Sequence, residues 1–205
     1  MMKLFVAMAV FAVTNCAVAQ DRLPRIPDDK LTAEQKQAIA EIMATPRKAF
    51  IGPFVPMVRS PGLTLTVQKV GEYIRYNTKL DRRLGEMAAL MAARNWTQQY
   101  EWHGHYPQAI KAGLKESIVE AIAEGRRPAG MAEDEEILYD FLMELLANKG
   151  VSDATYAKTL AKFGEELLVD ICGNVGYYTM LAMLMNVART PVPEGAPPLL
   201  VPLPR

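Results

Sequence analysis

The chain has 205 residues, half of which are hydrophobic, and its 23 basic side chains balance its 23 acidic ones. This length and composition predict one globular domain and exclude a generally disordered chain. The neutral balance argues against a nucleic-acid-binding protein, which usually carries a basic domain or stripe. Two cysteines are too few for a disulfide framework.

The first 19 residues have the parts of a secretory signal peptide. Lys3 gives a short positive start, an apolar run follows from Leu4 to Val13, and Ala17-Val18-Ala19 supplies the small residues of a cleavage site. The apolar run is too short to span a bilayer. We therefore expect an exported protein, periplasmic or secreted, whose mature chain begins at Gln20.

The following region predicts helices joined by short loops. Its apolar residues recur at helical spacing, and no segment shows sustained alternation with a period of two. The predicted starts, from capping residues and acidic first turns, are Thr32, Ser60, Asp81, Thr97, residue 115, Glu133 and Ser152. The longest and most apolar helix is predicted over residues 165–188, and residues 45–60 are predicted to be a loop. The fold class is therefore all-α.

Two extended arms flank the helical region, which is assigned to residues 32–190. Residues 20–31 and 191–205 contain prolines that disfavour helix. The second arm also carries several leucines, so we expect it to drape over a neighbouring subunit. Within the helix over residues 165–188, small side chains and Asn186 favour a buried core helix over a membrane span.

The only two histidines, His103 and His105, lie in one predicted helix with Glu101. Glu101 and His105 are four residues apart and share a helix face, so the carboxylate could orient the imidazole and raise its pKa. His103 lies on the other side, which argues against a metal chelate, and no metal site is expected. Glu86, on the preceding helix, returns to the same region if the two helices pack antiparallel. A Glu86–Glu101–His105 cluster could transfer protons; surface charges around a structural histidine are the alternative.

Several blocks of the sequence resemble the carboxymuconolactone decarboxylase family, which shares its fold with the AhpD-like alkylhydroperoxidases. These blocks are GPFVPMVRSPGL at 52–63, LGEMAALMAARNW at 84–96, QQYEWHGHYPQAIKAGL at 98–114, and the long stretch at 152–195. Their order and spacing are similar to those of the longer family members. The resemblance implies an AhpD-like helical bundle that assembles as a homo-oligomer, a homotrimer or a homohexamer.

The peroxidase branch of this superfamily has a similar spacing but uses two cysteines. Counted from Glu86, Gln98 and Glu101 stand where those cysteines would be, and His105 stands at the histidine. Without a thiolate there is no attack on a peroxide O–O bond. Cys172, the only cysteine after the signal peptide, is far along the chain and is expected to be a small buried apolar residue.

The resemblance therefore implies the decarboxylase branch, whose members use no cofactor and act on a small carboxylated lactone. Loss of CO2 leaves an enolate whose carbon must be protonated. The expected donor is His105 held by Glu101, with Glu86 relaying or orienting. Residues that could wall the pocket or bind a substrate carboxylate are Phe54, Met57, Tyr100, Trp102, Arg59 and Arg94.

Two other classes of protein stay open at this point. One is a peroxidase-like antioxidant relative without the dithiol, which predicts that alkylation of Cys172 abolishes activity. The other is a non-catalytic exported oligomer with a binding or structural role, which predicts an empty or blocked pocket around His105. The sequence predicts no nucleic-acid partner and no membrane span for any of the three.

Overall fold

A computed structural model of the chain describes residues 20–193 and 200–202. Within these ranges the secondary structure is helical, without strands, which confirms the predicted all-α class. The predicted signal peptide, residues 1–19, lies outside the described residues. The helices are α1 (Ala33–Ala44), α2 (Phe54–Met57), α3 (Pro61–Glu72), α4 (Arg82–Asn95), α5 (Gln99–Lys111), α6 (Glu116–Ala123), α7 (Glu133–Asn148) and α8 (Asp153–Ala188). A 3-10 turn (Asp28–Lys30) precedes α1, and a π-helical turn (Tyr73–Asn77) extends α3.

Most helix starts fall where the capping residues predict them. Thr32 caps α1 in the predicted capping box, and the Asp81 side chain accepts a hydrogen bond from the Arg83 backbone N–H at the start of α4. The start of α5 differs from the prediction. Thr97 has a positive φ of 46° and lies outside the helix, and Gln98 caps it instead. The single turn of α2 also lies inside the stretch predicted as loop.

Helix α4 is the centre of the fold. Its residues from Met87 to Arg94 are all buried, and it packs against α5, α6, α7 and α8. Four of them are alanines, whose small side chains let the neighbouring helices approach closely. Because α4 is covered on most sides, a polar side chain on it must find its partners inside the protein. That requirement applies to Glu86 and Arg94.

Helix α8 consists of two segments separated at Gly164. The backbone there is non-helical (φ 74°, ψ 173°), so the second segment begins at residue 165, as the sequence predicts. One face of this segment, with Ile171 and Met185, joins the hydrophobic core, whereas Val169 and Val187 are 66% and 63% exposed. Among the described residues, α8 is the one helix long and apolar enough to cross a membrane.

The N-terminal arm packs on the chain itself. The Arg22 backbone N–H donates a hydrogen bond of 2.8 Å to the Ala188 carbonyl at the end of α8. The Arg59 guanidinium donates to the carbonyls of Leu23 and Pro24, the latter at 2.7 Å. Arg59 therefore holds the arm against the loop between α2 and α3.

The described part of the C-terminal arm also packs on its own chain, and its predicted contact with a neighbouring subunit stays a prediction. Leu200 is buried in the main core. Its backbone N–H and carbonyl both bond to the Gln99 side-chain amide, each at 2.8 Å. One amide thus satisfies both backbone groups of a residue outside any helix, which fixes the position of residues 200–202.

Candidate active site

The antiparallel pair α4 and α5 places a histidine against a carboxylate inside the protein. His105 Nδ1 lies 2.6 Å from Glu86 Oε2, and each side chain is only 9% exposed. The tight turn between the helices brings position 105 back beside position 86. Helical spacing predicted a bond between Glu101 and His105. The structure pairs His105 with Glu86 instead, because the packing of two helices brings that carboxylate into direct contact.

The charge state of this pair follows from burial and from neighbouring charges. Burial acts to raise the pKa of Glu86, but the hydrogen bond to His105 and the positive charges of Arg75 and Arg82 together lower it below its usual value. Burial lowers the pKa of His105, against the opposing effect of Glu86. At neutral pH we therefore assign an ionised Glu86 that accepts the Nδ1–H of a neutral His105. The Nε2 lone pair is then available, as in a general base.

Glu101 is a second buried carboxyl group, and its state is different. Burial raises its pKa well above the usual value. Its Oε2 atom has no hydrogen-bond partner. Burial therefore favours the neutral, protonated form of Glu101, and in that form the carboxyl group can donate a proton to a bound molecule.

A cavity of about 310 Å³ lies between α5, α8 and the loop that follows α1, bordered by Glu101 and His105. Its size is within the range of small-molecule sites. Four buried polar atoms of its lining have no hydrogen-bond partner: Arg75 Nε, Glu101 Oε2, His103 Nδ1 and Tyr177 Oη. Buried polar atoms are nearly always paired, so these four indicate a place for a polar ligand or ordered water. His103, predicted to face away from His105, borders the same cavity.

Two arginines line this cavity, and neither was predicted from the sequence. Arg47 comes from the loop after α1, and Arg75 comes from the π-helical turn, with its Nε lacking a partner. The predicted arginines lie elsewhere, since Arg59 binds the N-terminal arm and Arg94 lines a different cavity. Arg47 and Arg75 belong to irregular segments, whose positions cannot be predicted from helical spacing.

Of the four apolar or aromatic residues expected to wall the site, only Tyr100 lines the cavity. Its ring packs on Gly52, which has a φ of +58°, and a Cβ atom there would come within 2.5 Å of the ring. Trp102, Phe54 and Met57 are instead buried in the hydrophobic clusters. Their apolar character therefore contributes to folding rather than to the cavity wall.

Two adjacent tyrosines of α8, which were not predicted from the sequence, also line the cavity. The Tyr178 ring meets the His105 ring edge to face, with centroids 4.6 Å apart, and the Tyr177 ring lies 5.1 Å from that of Tyr178. Burial raises the pKa of both hydroxyls, which therefore stay protonated. The available signal was a pair of hydroxyl-bearing side chains inside the most apolar helix.

No cysteine borders the cavity among the described residues. Cys172 is exposed on α8, which corrects the expectation that it is buried. Gln98, at the position that resembles the first cysteine of the peroxidases, caps α5 and donates to Asn186 at a distance of 3.3 Å. In the same ranges, no group of His, Cys, Asp and Glu side chains is arranged to hold a metal ion.

The arrangement of these helices is that of the AhpD-like fold. A crystal structure from Agrobacterium tumefaciens, of a protein of unknown function whose suggested role is that of the antioxidant defence protein AhpD, matches with a TM-score of 0.60 and 19% identity. The match covers 66% of this chain and 93% of that one. At this identity the likeness shows the fold and nothing about activity.

Residues 61–138 match the model of the carboxymuconolactone decarboxylase family. The matched segment runs from α3 into α7 and contains Glu86, Glu101 and His105. This match to part of the chain agrees with the resemblance seen in the sequence. A comparison with curated proteins found no match.

Proposed function

We propose that this chain is a cofactor-free carboxy-lyase that acts on a small carboxylated lactone. The observation that carries the proposal is one cavity lined both by Glu101, a carboxyl group whose pKa is raised by burial, and by His105, which bonds to Glu86. Two titratable groups with pKa values shifted by their environments in one cavity are typical of acid–base catalysis. The family of the matched segment adds support for the reaction class.

Substrate binding is assigned to the cationic and hydroxyl groups of the cavity. Arg47 and Arg75 would bind substrate carboxylates, because a guanidinium matches the geometry of a carboxylate. The Tyr177 hydroxyl, which has no partner, would donate a hydrogen bond to the lactone carbonyl oxygen. That bond strengthens as the carbonyl becomes an enolate, so it favours the transition state over the ground state.

The reaction requires one proton for each CO2 released. The bond between the ring carbon and the carboxylate breaks, CO2 leaves, and the electron pair passes into the lactone as an enolate. Glu101 then donates its proton to the carbon of this enolate. His105 takes up a proton from solvent at Nε2, stabilised by ionised Glu86, and returns it to the Glu101 carboxylate. This assignment moves the role of proton donor from His105, as expected from the sequence, to Glu101.

The test is turnover of 4-carboxymuconolactone by the mature chain from Gln20 onward, with CO2 release measured directly. Glu101→Gln keeps the size of the side chain but removes the proton, and we expect it to lower kcat by roughly a hundredfold or more. Arg75→Gln should raise KM. Arg59→Gln is the matched control, since that arginine lies outside the cavity, and its kinetics should equal those of the wild type.

The outcomes separate the reaction from its mechanism. Turnover that survives in Glu101→Gln would contradict the assigned donor, and His105→Ala would then show whether the histidine donates instead. An absence of turnover in a folded wild-type protein would overturn the proposed reaction and favour the non-catalytic alternative. A loss of function in Arg59→Gln equal to that in Arg75→Gln would contradict the assignment of the substrate-binding arginine.

We further propose that the protein is exported and that it assembles as a homotrimer or homohexamer. Support for export is the pattern of residues 1–19, and support for assembly is the exposed apolar surface of α3 and α8, which includes Leu63, Val70 and Val187. Periplasmic fractionation tests the first proposal. Sedimentation of the mature chain tests the second, and a monomer at micromolar concentration would contradict it.

A further inference from the structure

A buried guanidinium on α4 lies outside the site described above. Arg94 is 6% exposed, and its hydrogen bonds go to the carbonyls of Ala123 (3.0 Å) and Val201 (2.8 Å) and to the Thr97 hydroxyl (2.9 Å). Its Nε has no partner. None of the ion pairs among the described residues includes Arg94, so its charge is balanced there only by neutral acceptors.

This state is energetically unfavourable without a further partner. Transfer of a charged group out of water costs several kcal/mol, and neutral acceptors recover only part of that cost. An arginine presents five N–H donors, of which three have acceptors here. An anion beside the guanidinium would supply the missing charge and acceptors. The protein would therefore gain stability from a bound anion at this place.

Arg94 lines a cavity that is separate from the one at His105. That cavity has a volume of about 610 Å³, against about 310 Å³ for the cavity at His105, and the two share no lining residue. The apolar part of its wall is formed by Met91, Ile122, Tyr139, Met143 and Leu146. Besides Arg94, the polar lining consists of Asn95, Thr97 and Arg126, whose charge is paired with Glu124. Pro202 of the C-terminal arm forms part of the rim. A volume in this range is typical of a small-molecule site.

We propose that this cavity is a second ligand site, which binds a small carboxylic acid with an apolar body. Charge complementarity selects the carboxylate, since Arg94 is a buried cation without an anionic partner among the described residues. The walls select the apolar body, because a purely polar anion would leave them in contact with water. The site is independent of the reaction proposed for the His105 cavity, and its occupancy requires no turnover.

The first experiment uses octanoate as the probe and 1-octanol as its uncharged counterpart. Isothermal titration of the mature chain should show one octanoate per chain, bound at least about tenfold more tightly than octanol, since one charge-assisted hydrogen bond corresponds to about 1.4 kcal/mol or more. Trp96 borders the cavity, so its fluorescence should change with the same Kd. Equal affinities for the two probes, or no binding at millimolar octanoate, would overturn the proposal.

The second experiment fills the cavity by substitution. Met143→Trp should weaken octanoate binding by more than tenfold, because Met143 lines the cavity and is 44% exposed, which leaves space for a larger side chain. Met43→Trp is the matched control, since Met43 is 45% exposed on α1 and does not line this cavity. Equal binding by the two variants would place octanoate elsewhere and contradict the site.

One further variant tests the role of the charge. Arg94→Gln should lose the preference for octanoate over octanol while both still bind.

Two further measurements test for other occupants of the cavity. If a chain truncated after Pro202 binds octanoate more than tenfold more tightly than the full chain, the chain's own C-terminus is the natural occupant and the proposal is wrong. If Met143→Trp changes the mass in solution while Met43→Trp does not, a second copy covers the cavity, and the proposal is likewise overturned.

Discussion

The protonated state of Glu101 predicts a specific dependence of stability on pH. Burial raises the pKa of this group well above its ordinary value of 4.5. Between pH 4.5 and that raised pKa, the folded chain keeps a proton that the unfolded chain has lost. The free energy of unfolding should therefore fall as pH rises, by about 1.4 kcal/mol per pH unit from this one group. The stability that Glu101 contributes is fully present below pH 4.5 and is lost as pH rises from 4.5 to the raised pKa of the folded chain.

Glu101→Gln isolates this effect, because glutamine has almost the same shape and does not titrate. The variant and the wild type should have similar stability near pH 4.5, and the variant should gain relative to the wild type as pH rises. His105 and Glu86 have lowered pKa values, so they act with the opposite sign, and stability from them is lost as pH falls. Both groups are present in the two proteins and largely cancel in the difference.

The measurement is urea unfolding of both proteins at half-unit steps from pH 4.5 to pH 8. Glu120→Gln, on the exposed face of α6, serves as the control, and its difference from the wild type should stay flat across the range. A flat difference for Glu101→Gln as well would mean that Glu101 is ionised in the folded protein. That result would refute both the assigned charge state and the role of Glu101 as proton donor.

Three further substitutions test one contact at the cavity, one buried ion pair and the docking of the C-terminal arm. Gly71→Ala would place a Cβ atom 2.2 Å from the Tyr177 hydroxyl. We expect the free energy of unfolding in urea to fall by about 1–3 kcal/mol and the near-ultraviolet tyrosine signal to change. An unchanged signal would contradict the contact. Arg83→Gln removes the cation that binds Asp134 (2.6 Å) and buried Glu135, and it should cost about 2 kcal/mol at pH 7. Burial acts to raise the pKa of Asp134, but the hydrogen bond to Arg83 lowers it below 3.8, so the stability from this pair is present above pH 3.8 and is lost only as pH falls further. Leu200→Ala should cost about 2 kcal/mol if the C-terminal arm packs on its own core, whereas a loss below about 0.5 kcal/mol would mean that the arm is not docked there.

The local sequence predicts much of the helical framework because helix signals are short-range. Thr32, Asp81 and Ser152 cap helices at the predicted places, and Gly164 separates the two segments of α8. A capping hydrogen bond joins residues two or three positions apart, so its presence follows from the residues alone. Thr97 is the counter-example, because the tight turn between α4 and α5 places it outside the helix with a positive φ.

The contacts of the candidate site residues differ from those that the sequence predicted. Glu86, Glu101 and His105 were proposed from spacing and resemblance, and the spacing favoured a bond between Glu101 and His105, whereas His105 bonds to Glu86. Helical spacing shows which side chains share a face, whereas the packing of α4 against α5 decides which atoms meet. The same packing leaves Glu101 buried and its Oε2 atom without a partner. This environment raises the pKa of Glu101 and favours its protonated form.

By itself, the sequence determined the fold class and the positions of most helix starts, since these depend on local periodicity and on residue type. Only the tertiary structure decided which arginines face the cavity, because Arg47, Arg75 and Arg94 look alike in the sequence and are separated only by where their segments pack. It also decided that Cys172 is exposed and that Leu200 is buried on its own chain. Burial and charge environment are sums over neighbours distant in the sequence, and no local pattern contains them.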